Sequence, residues 1–325
     1  MVDFRYHLVS LVSVFMALAV GVILGAGPLQ NSIGTTLTSQ VKSLRESRDE
    51  ARSEADAAKN ALSENEKQLD LAGTQLVDGT LKGRKIGVVA LPGVEDSELG
   101  AAENKISKAG GTIAGTVTIT DTYTSSSETT YRKSLAGNLS QYVGEKADAD
   151  AETVIASAIS RILFTGTADA NSTVIVEALT AKDRQIIQIQ GDLGSGVDAV
   201  VIVAPAKLEV DKSTPSPSAQ KKNISAGYSK LVHAFGSKGA TVTTGEGTSS
   251  DNVVAKARQA KAGSTVDSLD TITGRINVAI AVASEIKGTH VQLGKGDGAQ
   301  ATLGARVDAA ETPAATPEPD PASEG

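Results

Sequence analysis

The sequence contains no cysteine and no tryptophan, and aromatic residues make up 3% of its 325 positions. Without thiols, disulfides, zinc–thiolate sites, iron–sulfur clusters and cysteine nucleophiles are excluded. Five Tyr and four Phe supply few platforms for stacking bases, and a net charge of −7 opposes a surface that follows phosphates, so nucleic-acid binding is not expected. Soft metal ligands are scarce as well. Three histidines (His7, His233, His290) and two methionines (Met1, Met16) are scattered along the chain. A copper site needs thiolate, thioether or imidazole donors brought together. No single-chain copper cage is therefore expected, and no other metal or cofactor. With 40% apolar residues, a core is possible, built from Val, Ile, Leu and Ala.

Charge is missing locally too. After Arg5 no Lys, Arg, Asp or Glu occurs until Lys42. Within that window residues 8–27 are twenty uncharged, mostly apolar residues, which as a helix span roughly 30 Å, the thickness of a bilayer core. A cleaved signal would carry a shorter apolar region and an A-x-A-like site, whereas Gly25-Ala26-Gly27-Pro28 is a poor one. A retained single-pass anchor in the inner (plasma) membrane is expected. Arg5 and the α-amino group place residues 1–7 in the cytoplasm and everything after Pro28 outside. Ser13, Ala17, Gly21 and Gly25 recur every four residues and form a small-residue stripe on which helices can pack.

Residues 31–78 read as a coiled coil. The seam Leu37, Val41, Leu44, Arg48, Ala51, Ala55, Ala58, Leu62, Asn65, Leu69, Ala72, Leu76 steps alternately by four and three, as a and d positions require. Acidic and basic residues are interspersed, as on a solvated face. The expected rod is roughly 60 Å long and ends at Gly73, Gly79 and Gly83. Its weak middle, Arg48 and three Ala, suits a marginal dimer or a helix packed on a partner. A parallel homodimer, with Leu37, Val41, Leu44, Leu62, Leu69 and Leu76 at its interface, buries this seam most simply.

Beyond the rod, strands alternate with helices, which predicts an α/β body with a mostly parallel, Rossmann-like sheet. Expected strands are 84–92, 112–120, 198–204, 240–244 and 265–266. Expected helices are 97–109, 128–143, 150–164, 221–235, 251–260 and 272–286. Pro215 and Pro217 mark a linker, 209–220, between a first half, 84–208, and a second, 221–306. Residues 294–298, rich in glycine, are expected to form a hairpin or loop. The stretch 307–325, rich in Pro, Ala, Thr and acidic residues, is expected to be disordered.

No catalytic constellation emerges. The turn after the first strand carries one Gly and two carboxylates, and Gly245-Glu-Gly-Thr-Ser-Ser250 has Glu246 inside it and lacks a third Gly. There is no G-x-S-x-G elbow, and only His233, expected half-buried on a helix, and His290 lie in the body. No enzymatic activity is expected.

Val2-Asp-Phe-Arg-Tyr-His-Leu-Val-Ser-Leu-Val and the later Ala-Val-Gly-Val-Ile-Leu-Gly-Ala-Gly-Pro-Leu29 closely resemble the N-terminus of the actinobacterial MctB family. Ser264-Thr-Val-Asp267-Ser-Leu-Asp270 with Gly274, and the glycine-rich stretch 294–304, continue the likeness. The family takes its name from mycobacterial copper transport protein B and includes the corynebacterial envelope protein SteB. The resemblance implies one of two roles. One is a non-enzymatic scaffold that, with a SteA-like membrane protein, controls peptidoglycan hydrolases and cell separation. The other is copper efflux or copper homeostasis in the outer envelope. With few metal ligands and no barrel pattern, the residues favour the scaffold.

Overall fold

The computed structural model describes residues 4–25, 29–146, 148–210 and 216–311, the side chains of 29–35 excepted. The chain divides into two units, residues 1–67 and 68–325.

The first unit is helical. Helix α1 (Phe4–Gly25) is apolar all round and wholly exposed, with a mean hydropathy of 2.6 over its most apolar window. A soluble helix with no polar face would have to be buried, so its length and composition fit a membrane crossing. The Ser13 hydroxyl donates to the Val9 carbonyl at 2.8 Å, inside its own helix. Helix α2 (Leu29–Val77) begins in this unit and runs without a break into the second. Its exposed turns carry ion pairs such as Lys42–Glu46 and Glu64–Lys67, each contributing a few tenths of a kcal/mol to the helix.

The second unit is an α/β body around one seven-stranded sheet. In chain order it comprises β1 (Lys85–Ala90), α3 (Asp96–Lys108), β2 (Thr112–Ile119), α4 (Thr129–Val143), α5 (Ala151–Thr165), α6 (Ala170–Leu179), β3 (Ile187–Gly191) and β4 (Ala199–Ala204). It continues with α7 (Pro217–Gly236), β5 (Ala240–Gly245), α8 (Val253–Ala260), β6 (Ser264–Val266), α9 (Ile272–Ile286) and β7 (Gln292–Leu293). The spatial order is β3-β2-β1-β4-β5-β6-β7, and every neighbouring pair is parallel except β2 with β3.

Strand β4 shows why the sheet is covered on both faces. Val200, Ile202 and Ala204 join one apolar cluster with α4 to α8, while Ala199, Val201 and Val203 join a second with α3, α9 and the end of α2. A parallel strand with two buried faces must be apolar at every position, and all six residues of β4 are buried.

Three expectations change. Gly73 does not end the long helix. A Cβ there would lie 2.0 Å from Ile276 Cδ1, so glycine lets α2 press against α9, and the helix continues to Val77. Helix α7 starts at Pro217, inside the expected linker 209–220 rather than at 221, and β4 and β5 on either side of that linker pair directly. Pro215 lies outside the described residues. The 294–298 stretch is a loop, one of the two forms expected, with the Lys295 and Gly296 amides turned onto Asp267 just beyond β6. Residues 307–311 of the stretch expected to be disordered are ordered: Ala309 is fully buried, its amide donates to Thr80 O at 2.8 Å and the Glu311 amide donates to Lys82 O at 2.9 Å. Apolar cover and two ladder bonds offset the ordering entropy of 307–311; residues 312–325 lie outside the described residues.

Candidate functional site

Three places combine unusual chemistry with position: the exposed face of α2, a polar knot at the end of the sheet, and the crevice where the strand order reverses.

On α2, Leu37, Val41, Leu44, Leu62 and Leu69 all expose between 44% and 69% of their surface. Leu76 differs, being half-buried against the body's second apolar cluster. It is therefore shared with the body's own core rather than presented on an open face. On α1, Gly21 and Gly25 have nothing within 4 Å of where a Cβ would stand, and Ser13 and Ala17 are exposed.

The polar knot involves the stretches that carry the family likeness. Asp267, just beyond β6, and Arg258 on α8 are both almost wholly buried and pair at 2.9 Å. Asp267 also accepts from the Lys295 amide at 2.7 Å, the Gly296 amide at 3.0 Å and the Ser268 hydroxyl at 2.8 Å. Burial alone would raise the Asp267 carboxyl, but the Lys295 amide, the Ser268 hydroxyl and Arg258 outweigh it and hold the group below the usual carboxylate range. Arg258 further donates to Thr265 Oγ1 and to the carbonyls of Leu293, Gly296 and Asp297. Gly294 has φ +129°, and a Cβ there would fall 2.1 Å from Asp267 Oδ1. Only glycine fits so close to the carboxylate in that conformation. Asn277 on α9 fastens the next turn, accepting from the Gly304 amide and donating to Thr302 O. The knot meets its charges internally, so it acts as a latch that fixes the 294–304 loop.

The turn after β5 lies close by. Burial raises the Glu246 carboxyl, and the negative charges of Glu98, Asp270 and Glu95 raise it further. Such a concentration of carboxylates repels phosphate, in agreement with the reading of this turn from its residues.

Metal donors do not converge. Among the described residues no group of three or more His, Cys, Asp or Glu could hold a metal ion. His7 and His233 are exposed, whereas His233 was expected half-buried. His290 is exposed, with Nδ1 2.8 Å from the buried Glu285 carboxylate.

At the reversal of strand order, β1 leads outward to β2 while β4 leads the other way to β5, so a crevice opens beyond the C-terminal ends of β1 and β4. A Cβ built on Gly93 at one lip would stand 3.5 Å from Pro205 Cβ and 3.8 Å from Glu209 Cγ on the other. Gly93 lies in the turn weighed for phosphate binding and Glu209 opens the expected linker, but the sequence did not join them, because they come from loops far apart in the chain.

Comparison with known proteins fits this architecture. The family described as copper transport outer membrane protein, MctB, matches residues 1–303, from α1 through the latched loop. Relatives named copper transporter MctB from Mycobacterium bovis and Mycobacterium tuberculosis are each 25% identical over 317 residues, covering 92% of this chain and 98% of theirs. A relative of the same name from Mycobacterium leprae is 27% identical over 322 residues, with the same coverage. The chain belongs to the MctB family.

Proposed function

We propose that the protein is a membrane-anchored component of copper homeostasis in the cell envelope. The observation that carries this reading is the family match over residues 1–303, together with relatives named copper transporter. This reverses the order of the two roles implied by the resemblance: the comparisons speak for copper and lend no support to cell separation. In this reading α1 crosses the inner membrane with its N-terminus in the cytoplasm, and α2 and the α/β body lie outside. The open sheet, covered on both faces by helices, is unlike the closed, lipid-facing barrel of outer-membrane channels. The body does no catalysis. Copper is the cargo of an assembly, and the chain contributes as a stalk and docking piece. The exposed Leu37, Val41, Leu44, Leu62 and Leu69 pair two copies in parallel, aided by the stripe on α1.

Deleting the gene is expected to lower copper tolerance and raise cell-associated copper, both restored by the wild-type chain. Purified full-length protein is expected to bind Cu(I) without a stoichiometric tight site. A deletion strain with unchanged tolerance and unchanged cell copper overturns the reading. Daughter cells that stay attached, with copper handling intact, would speak instead for the scaffold acting with a SteA-like protein and a peptidoglycan hydrolase.

A further inference from the structure

The crevice at the strand-order reversal is the place where open α/β sheets hold ligands, and its lining states what kind of ligand it suits. A hollow of about 280 Å³ lies there, open to solvent, with Thr118, Thr120 and Asp121 from the end of β2 on one side and Glu209 on the other. Among the described residues, no lysine or arginine lines it. The nearby helix N-terminus is already satisfied: Glu95 and Glu98 close a capping box over the first turn of α3, which also carries Asp96. A phosphate would thus meet carboxylates and a spent helix end, so a nucleotide is refused. What remains is an acceptor-rich, hydroxyl-rich hollow with apolar patches from Leu208 and Ile224.

Its back wall is rigid. Tyr228 is buried at the base and stacks on Tyr123, ring centroids 6.5 Å apart. The Tyr123 hydroxyl donates to the carbonyls of Gly227 and Glu152, both at 3.2 Å. Asp121 and Glu209 are exposed, so a ligand can reach both carboxylates without unfolding the wall. Asp121 stands just past the second strand of the sheet, the region from which an acidic side chain holds neighbouring ribose hydroxyls in dinucleotide-binding folds. At Thr124 the hollow meets a second one of about 210 Å³, lined by Ser126, Thr129 and Asn223. The two cations there are occupied, Arg132 by Glu152 and Lys230 by Asp150 and Glu152.

We propose that this crevice binds an uncharged saccharide, with one ring in the first hollow and the next ring beyond Thr124. The Asp121 and Glu209 carboxylates accept hydroxyl protons of the first ring, and Thr118 completes the set, while the Thr120 hydroxyl, which already donates to Gln185 O, can only accept. The apolar patches take the C–H face of the sugar.

The test is a titration of the full-length chain in a detergent without a sugar headgroup, followed by saturation-transfer NMR and calorimetry. Probes are glucose, galactose, mannose and N-acetylglucosamine, their linear trisaccharides, and ATP and spermidine as charged comparisons. At least one neutral saccharide is expected to bind, its trisaccharide more tightly than the monomer. Asp121→Asn and Glu209→Gln are each expected to weaken it at least about tenfold, the loss of one charge-assisted hydrogen bond. Both side chains are exposed, so the variants should melt with the wild type, and unchanged melting confirms that the loss is local. Absence of binding by every saccharide, wild-type affinity in both variants, or binding of ATP or spermidine in place of sugar overturns the proposal. None of these outcomes depends on copper tolerance, so the functional reading above stands or falls separately.

Discussion

The long helix has two characters along its length. Between residues 36 and 69 its side chains face solvent, and its leucines form a stripe with no cover among the described residues. From Asp70 to Val77 the same helix belongs to the body: Gly73 admits Ile276, Val77 is fully buried, and Lys105 reaches Asp70 at 2.6 Å and Thr74 at 3.0 Å. Heptad spacing alone does not distinguish the two stretches, because Leu62, Leu69 and Leu76 follow the same rule. What separates them is the size of the residue between: a glycine in mid-helix costs about 1 kcal/mol against alanine, and only a close neighbour repays it.

The largest expected effect lies on the latch that closes the body. Asp267→Ala leaves the Arg258 guanidinium buried without its carboxylate and should cost about 3–5 kcal/mol, read as a loss of many degrees in the melting of the full-length chain. Ile276→Ala empties the space that Gly73 makes room for and should cost about 2–5 kcal/mol. Gly73→Val, the overpacked counterpart, should cost about 1–3 kcal/mol, and if it were silent the close approach of α2 to α9 would be wrong. On the exposed stretch the expectation reverses. Leu44→Asp with Leu62→Asp should change the body's melting by no more than about 0.5 kcal/mol but abolish self-association in crosslinking.

The smallest effect is one of pH. The hydrogen bond from Lys105 holds the Asp70 carboxyl below its usual range, against a weaker opposing push from burial, while Lys108 adds attraction. A carboxyl whose folded pKa is depressed contributes stability above its unfolded pKa, about 3.9, and loses it as pH falls through the folded value. Lys105→Met should therefore flatten the melting profile below about pH 4 relative to wild type, by a modest amount because Asp70 is partly exposed.

Much of the architecture was legible from residue patterns. The apolar run of α1, the unbroken β4 and the capped α9 follow directly from composition and period, and α9 begins and ends where expected, at Ile272 and Ile286. Helix α6 was missed because its Ser-Thr-Val-Ile-Val stretch suits a strand equally well. The Asp169 side chain decides the matter by accepting from the amides of Asn171 and Ser172. The antiparallel edge strand β3 was missed too, although Ile187 and Ile189 alternate with Gln188 and Gln190. The latch was half legible: its glycines and Asp267 stood out, but their contact joins residues 28 apart with no local signal. The crevice was not legible as a site, since Gly93, Asp121 and Glu209 line it together only after the sheet assembles.

The docked stretch 306–311 closes the body like a drawstring. Arg306 reaches the carbonyls of Leu76 and Asp78, and Ala309 and Glu311 hold Thr80 and Lys82, so the chain departs beside the point where it came in. Ala309 and Val307 share one apolar cluster with Val77 and Leu81, so the entering and the returning stretches of the body are buried together.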